Sequence, residues 1–323
     1  MNRVEIAKRY LEELLGQRQD IVAAWISGSV ARGEDTAFSD IDLALMVTGQ
    51  SDDVTNRDGL DTWREGVYIE ASANPQQAYT DLETILNDPY KTTHINDAII
   101  LYDPTGFVTQ LQAAIRPVFM QPQSLSRRLT FWLENTRTSL AQLQAAVKAA
   151  DVLEICETFG FFTFGCASIP LLQAGITPSS TRSLLLLSPI DPILTGQLAE
   201  LEGSTQMSTA DLLALEPLLQ EMLPFMDASY GQLGVYFIQK TSWMTQQGHH
   251  QEALHAIWIF IWAIAQSCRQ HPELAVRLAG TALLHRWLHR IHMHEPSIWV
   301  VKLQQAEMLL GQLDMLVGES THR

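Results

Sequence analysis

Short-period alternation of apolar and polar positions marks three segments near the N-terminus as β-strands: Ile21 to Ser27, Ile41 to Val47 and Val67 to Ser72. Between and around them the period lengthens. Met1 to Leu15 has apolar residues at helical spacing with charges throughout, which predicts an amphipathic helix. Gln76 to Leu86 predicts another, ending before Asp88-Pro89. Thr48 to Gly66 is polar and acidic and is expected to be a loop or a frayed helical connection. The apolar run Ala98 to Leu101 leads into Asp103-Pro104, which looks like a turn.

Beyond Pro122 the alternation disappears, and Leu, Ala, Gln and Glu recur at helical spacing. Helices are predicted at Ser124 to Ala149, Val152 to Ala174, Ala210 to Met226, Ser229 to Gln247, Gln251 to Arg269, Glu273 to His289 and Pro296 to Leu316. Breaks fall near Gly175 to Pro178, Ser188 to Pro192, Gly203-Ser204 and His294 to Pro296, where Gly and Pro interrupt the pattern. The fold class expected is therefore an α+β domain over residues 1–120, built on a short mixed sheet, followed by an all-α domain over residues 121–323. A chain of 323 residues is long enough for two cores.

Charge narrows the choice of partner. A formal net charge of -15 disfavours a general nucleic-acid surface, which needs clustered Lys and Arg, and leaves cationic partners open. Cys156, Cys166 and Cys268 are odd in number and lack CxxC spacing, so neither a disulfide framework nor a thiolate zinc site is expected, and a reducing cytoplasm fits. The charged N-terminal helix is unlike a signal peptide. The apolar run Ala256 to Ala265 is about half the length a bilayer span needs, so no membrane role is expected.

The chemistry is concentrated in Gly28-Ser29-Val30-Ala31-Arg32-Gly33 and, a few residues on, Ser39-Asp40-Ile41-Asp42. On a strand alternate side chains share a face, so Asp40 and Asp42 project together while Ile41, Leu43, Leu45 and Val47 face a core. Two carboxylates this close are stable only if one keeps a proton or a cation lies between them, and Mg²⁺ suits carboxylates combined with substrate phosphates. Gly28 and Ser29 supply backbone for phosphate oxygens, and Gly33 allows tight packing or a turn before Ser39.

Gly-Ser-x-x-x-Gly followed by Ser-Asp-x-Asp resembles the signature of the nucleotidyltransferase superfamily related to DNA polymerase beta, and within it the bacterial aminoglycoside and lincosamide nucleotidyltransferases. The resemblance implies a twisted mixed sheet with helices on one face and metals on the other. It implies two Mg²⁺ ions on Asp40 and Asp42, and a nucleoside triphosphate held by Gly28 and Ser29, with Arg32, Gly33 and Ser39 as further candidates for nucleotide contact. Such a family usually adds a third carboxylate from a neighbouring strand; Glu70, in the apolar strand Val67 to Ser72, is the candidate, with Asp97 and Asp103 as rivals. The activity implied is transfer of a nucleoside monophosphate, AMP from ATP, to a hydroxyl of a small molecule such as an aminoglycoside-like polycation, with the helical half closing over the acceptor. Protein AMPylation is an alternative, and a non-enzymatic, antitoxin-like binding module is another; an oligomer is compatible with each.

Other features have plainer readings beside their functional ones. His285, His289, His292 and His294 could bind zinc or could complement a helix C-terminus. The Arg286-to-His292 spacing also matches a motif of helical ribonucleases. Trp243, Trp258, Trp262, Trp287 and Trp299 either stack on sugars or fill a core. Arg127, Arg128, Arg137 and Lys148 are candidates to reach a triphosphate; Glu134, Asp151, Glu154 and Glu157 are candidates to face a cation or to form a solvated helix face.

Overall fold

The computed structural model describes residues 2–49, 60–227 and 231–321. It divides into two compact units, Met1–Arg128 and Leu129–Arg323. The first contains strands β1 (Ile21–Ser27), β2 (Ile41–Val47), β3 (Thr62–Arg64), β4 (Val67–Pro75) and β5 (Ile99–Tyr102), in sheet order β3-β4-β2-β1-β5. β2 pairs parallel with β4 and antiparallel with β1, so the sheet is mixed as expected.

Its helices are α1 (Arg3–Gln17), the single turn α2 (Gly28–Ala31), α3 (Leu82–Asn87), α4 (Pro89–Asp97) and α5 (Phe107–Ile115). Both faces of the sheet are covered, in contrast to the one-sided arrangement the resemblance implied. Ile6, Ala7, Tyr10, Leu11 and Leu14 of α1 pack on Ile41, Leu43, Leu45 and Val47 of β2 and on Ile69 and Ala71 of β4. On the opposite face Trp25, Ala44 and Met46 meet Tyr79 and residues of α3, α4 and α5. Strict alternation along β2 supplies both cores at once, and Asp42 belongs by parity to the Ala44 and Met46 face.

Three departures from expectation have local causes. The polar connection contains the short strand β3, joined to β4 through Glu65 and Gly66, whose φ values of +52° and +77° make the left-handed pair of a tight hairpin turn. Three residues are too few to show alternation, and residues 50–59 lie outside the described ones. The helix predicted at 76–86 is a 3-10 turn, Gln76–Tyr79, followed by α3, because Asp81 caps α3 by accepting from the Glu83 and Thr84 N–H groups. The run at Ala98 forms edge strand β5, pairing with β1.

The helices that follow are α6 (Pro122–Ala149), α7 (Val152–Gln173), α8 (Ser183–Leu187), α9 (Pro192–Glu202), α10 (Thr209–Leu213), α11 (Glu216–Met222), α12 (Gly231–Gln246), α13 (His250–Gln270), α14 (Pro272–Ala279), α15 (Leu283–Arg290) and α16 (Pro296–Thr321). Two predicted helices are split. That over 210–226 breaks before Glu216-Pro217, and that over 273–289 breaks at Gly280 and at Ala282, which has φ +55°. The expected start at Ser229 lies outside the described residues.

α7 is long and apolar enough to cross a membrane by length and composition, yet 94% of its most apolar window is buried within the protein. α13 lies against it, with the Phe159 and Trp258 ring centroids 4.6 Å apart and Trp287 and Trp299 packed edge-on around them. The three tryptophans are buried, so they fill a core. The three cysteines are free and buried, and burial raises each thiol, that of Cys268 to about 11.

Gly160 permits the close approach of α7 and α13, since a Cβ there would lie 2.9 Å from the Trp258 carbonyl oxygen. Gly160→Ala is expected to destabilise the chain by about 1–3 kcal/mol. Gly311→Ala, in open space on α16, is expected to be neutral or to stabilise by up to about 1 kcal/mol. Denaturant unfolding of both variants measures the contrast.

Candidate active site

Where β1 ends, the chain turns directly into α2 at Gly28. In register, Ser27 at the end of β1 lies opposite Asp42, and Asp42 lies opposite Glu70 on the parallel neighbour β4. The ladder therefore sets two carboxylates side by side on adjacent strands. Asp40 joins them from just before β2. One oxygen from each of Asp40, Asp42 and Glu70 can be chosen so that all lie within 4.8 Å of one another, and all three residues are half-buried. Among the described residues this is the group of carboxylate, imidazole or thiolate side chains placed to hold a metal ion.

The donors suit a hard divalent cation. They are all oxygens, and ligands about 2.1 Å from one Mg²⁺ are at most about 4.2 Å apart, so small rotations of these side chains bring them onto an ion. Gly28 completes the cradle. Its φ is +68°, and a Cβ built on it would fall 1.8 Å from Asp42 Oδ2 and 2.8 Å from its Cγ. The Asp42 carboxylate occupies the space any other residue would need, which is why glycine stands there.

Gly33 has a different role from Gly28. It has φ +69°, a Cβ built there would meet nothing within 4 Å, and the Gly33 N–H bonds to Val30 O while the Glu34 N–H bonds to Ser29 O. These are the paired bonds of a Schellman motif, so Gly33 is there for the turn and not for packing. Ser39 is buried; its hydroxyl accepts from the Thr36 N–H at 2.8 Å, and its own N–H bonds back to Thr36 O. Arg32 pairs with Glu34 at 2.9 Å and Asp97 at 3.4 Å. Ser29 is half-buried in the single turn of α2. Of the two rivals to Glu70, Asp97 takes part in that ion pair, and Asp103 accepts from the Thr109 N–H and hydroxyl at 2.8 Å each, fixing the start of α5.

Two residues of this neighbourhood escape sequence reasoning. Arg3 donates to the segment that leads into Asp40, and Asp61 accepts from the Ala71 N–H and the Tyr68 hydroxyl, both at 2.8 Å, fixing β4 beside Glu70. Neither carries a local signal: one is a first-turn helix residue and the other an Asp in a polar stretch.

The remaining candidates serve the helical unit or its approach. Arg127 pairs with Glu83, Arg137 pairs with Asp314, and Arg128 is buried with its guanidinium over the Phe119 ring. Burial lowers the Arg128 pKa to about 10. Asp151 caps α7 through the Glu154 N–H, while Glu154 and Glu157 both pair with Arg269. His285, His289, His292 and His294 are exposed, with the His289 and His294 rings stacked 4.4 Å apart, and Arg286 is paired with Glu221. A cavity of about 260 Å³ in the helical unit, lined by Asp151, His285 and mainly apolar residues, contains none of the acidic triad.

Comparison with known proteins agrees with this geometry. Residues 9–103, which run from the second half of α1 through all five strands, match the family model described as polymerase beta, nucleotidyltransferase. The N-terminal unit carries a nucleotidyltransferase domain of the polymerase beta type. Among solved structures it is similar to a nucleotidyltransferase-like protein from Exiguobacterium sibiricum 255-15, at 12% identity over 98% of this chain and 91% of that one, with a TM-score of 0.28. No curated protein matches the chain. A domain of this type implies a nucleotide substrate, and the Asp40, Asp42 and Glu70 triad fits a divalent metal.

Gly28→Ala forces either the Asp42 carboxylate or the backbone to move. It is expected to abolish high-affinity Mn²⁺ binding, measured by titration calorimetry, while the far-ultraviolet circular dichroism of the helical unit persists. Wild-type Mn²⁺ affinity in this variant would mean that Asp42 takes no part in metal binding.

Proposed function

We propose that this nucleotidyltransferase transfers AMP from ATP to a hydroxyl group of a small, cationic acceptor and releases pyrophosphate, using Mg²⁺ held by Asp40, Asp42 and Glu70. The observation that carries the reading is the convergence of these three carboxylates beside Gly28. Mg²⁺, when bound, supplies positive charge for the triphosphate and for the acceptor oxygen as its proton leaves.

The chain's own residues divide the remaining work. Asp42 and Glu70, fixed by ladder register, hold their carboxylates on a rigid frame, and Asp40 adds a third oxygen from the approach to β2. Glu70 is the proposed acceptor of the proton from the attacking hydroxyl. Gly28, lacking a side chain, and Ser29 present backbone and hydroxyl to the phosphates at the mouth of α2. Arg32, Gly33 and Ser39 act one step removed. Arg32 is held in its ion pairs, Gly33 closes α2, and Ser39 ties the turn that delivers Asp40.

A small cationic acceptor is supported by the net charge of -15, which opposes a polyanionic one. The 195 residues of the second unit, from Leu129 to Arg323, form a core of their own and are available as its binding domain.

Pyrophosphate release from ATP and Mg²⁺ in the presence of a panel of aminoglycosides, lincosamides and other hydroxyl compounds tests the reading. Label from α-labelled ATP appearing on protein bands, with none on the small compounds, would replace the small acceptor with a protein. Asp40→Asn and Asp42→Asn are each expected to reduce turnover to background with the fold retained. Glu70→Gln is expected to lower kcat by about 10²–10⁴-fold with little change in nucleotide affinity; an unchanged kcat would take the proton-accepting role away from it.

A further inference from the structure

Asp40 stands apart from its partners in one respect. Asp42 and Glu70 are held by the sheet ladder, whereas Asp40 precedes the first residue of β2 and has no place in the register. Its position depends on the path of residues 35–39, which follow the Schellman turn at Gly33.

Arg3 governs that path. Its Nε donates to Ser39 O at 3.0 Å, Nη2 to Thr36 O at 2.7 Å and to Ala37 O at 3.0 Å, and Nη1 to Asp35 Oδ2 at 2.6 Å. Three of the four acceptors are main-chain carbonyls, so what the guanidinium fixes is the backbone, whatever side chains decorate it. The side chain is only 10% exposed. Capping of α1 falls to Asn2, whose side chain accepts from the Val4 and Glu5 N–H groups, which leaves Arg3 for the turn. The rest of α1 is anchored in the sheet core by Ile6, Tyr10, Leu11 and Leu14, so the guanidinium is presented from a fixed base. A planar fork with donors on three nitrogens reaches these carbonyls together; a lysine ammonium, a single point, does not.

We propose that Arg3 is a positioning residue for the metal site: by holding the carbonyls of Thr36, Ala37 and Ser39, it sets Asp40 beside Asp42 and Glu70. The proposal rests on the reading of those three carboxylates as metal ligands. A residue in this role acts on metal affinity through geometry, and outer-shell partners of metal ligands carry about 10–100-fold in affinity.

Mn²⁺ alone is the probe, titrated into the full chain and followed by electron paramagnetic resonance, with thermal unfolding of the same samples. Arg3→Ala is expected to weaken Mn²⁺ binding by about 10–100-fold, with Arg3→Lys intermediate. Leu11→Ala, which loosens α1 without touching the turn, is expected to lower the Tm and leave Mn²⁺ affinity unchanged. Wild-type affinity in Arg3→Ala would overturn the proposal, as would an equal loss in Leu11→Ala at a matched fall in Tm. If Arg3→Ala does not fold, wild-type affinity in Arg3→Lys overturns it instead. Asp42→Asn separates two kinds of failure. Binding lost there but intact in the Arg3 variants removes only the assignment of Arg3; a wild-type protein that binds no Mn²⁺, or an Asp42→Asn variant that binds like wild type, removes the metal reading and this inference with it.

Discussion

Three carboxylate groups with oxygens within 4.8 Å of one another repel. At an effective dielectric near 20 each ionised pair at that separation costs about 3–4 kcal/mol. The first unit of this protein is organised to hold that arrangement in place. Two of the groups are placed by the hydrogen-bond ladder between β2 and β4, the stiffest element available, and both strands have cores behind them. Either a retained proton or a divalent cation relieves that repulsion, and a cation relieves more of it at once.

Holding the groups is shared between regular and irregular structure. The parallel register sets Asp42 against Glu70, and Asp61 bonds the Ala71 N–H one residue further along β4. Gly28 gives the Asp42 carboxylate a flat surface to lie on. The irregular side of the site, from Gly33 to Ser39, is tied by a Schellman motif, a serine hydroxyl and Arg3. Thus α1 reaches the chemistry from the far face of the sheet, with its body in the core and its first side chain at the turn.

Much of this was legible in the order of residues, because the relevant signals are local. The spacing of Asp40 and Asp42 signals a pair of carboxylates, although Asp40 falls just before β2 and not on its face, Gly28 and Gly33 mark backbone that other residues avoid, and Glu70 is conspicuous as a charge inside an apolar strand. The partners of those residues are not local. Arg3 lies 32–36 positions from the atoms it binds, and nothing in Asn2-Arg3-Val4 distinguishes it from a solvated helix start. β3 has only three residues, and its turn uses Glu-Gly in place of the usual Asn-Gly. Helix boundaries leave no trace in the spacing where a single residue reverses its φ, as at Ala282, or where a side chain opens a new helix, as at Asp81. Charge and helical spacing alone do not mark ion pairs such as Arg137 with Asp314, since the partners are distant in sequence.

The enclosure of α7 has a consequence for biosynthesis. Its principal neighbour, α13, ends about a hundred residues later in the chain. At about 5–20 residues per second, roughly 5–20 seconds separate emergence of the greasy helix from arrival of its cover. During that interval the nascent polypeptide displays a segment as apolar as a membrane-spanning helix, without its cover. Arrival of α13 is what encloses Val152–Gln173 within the helical core.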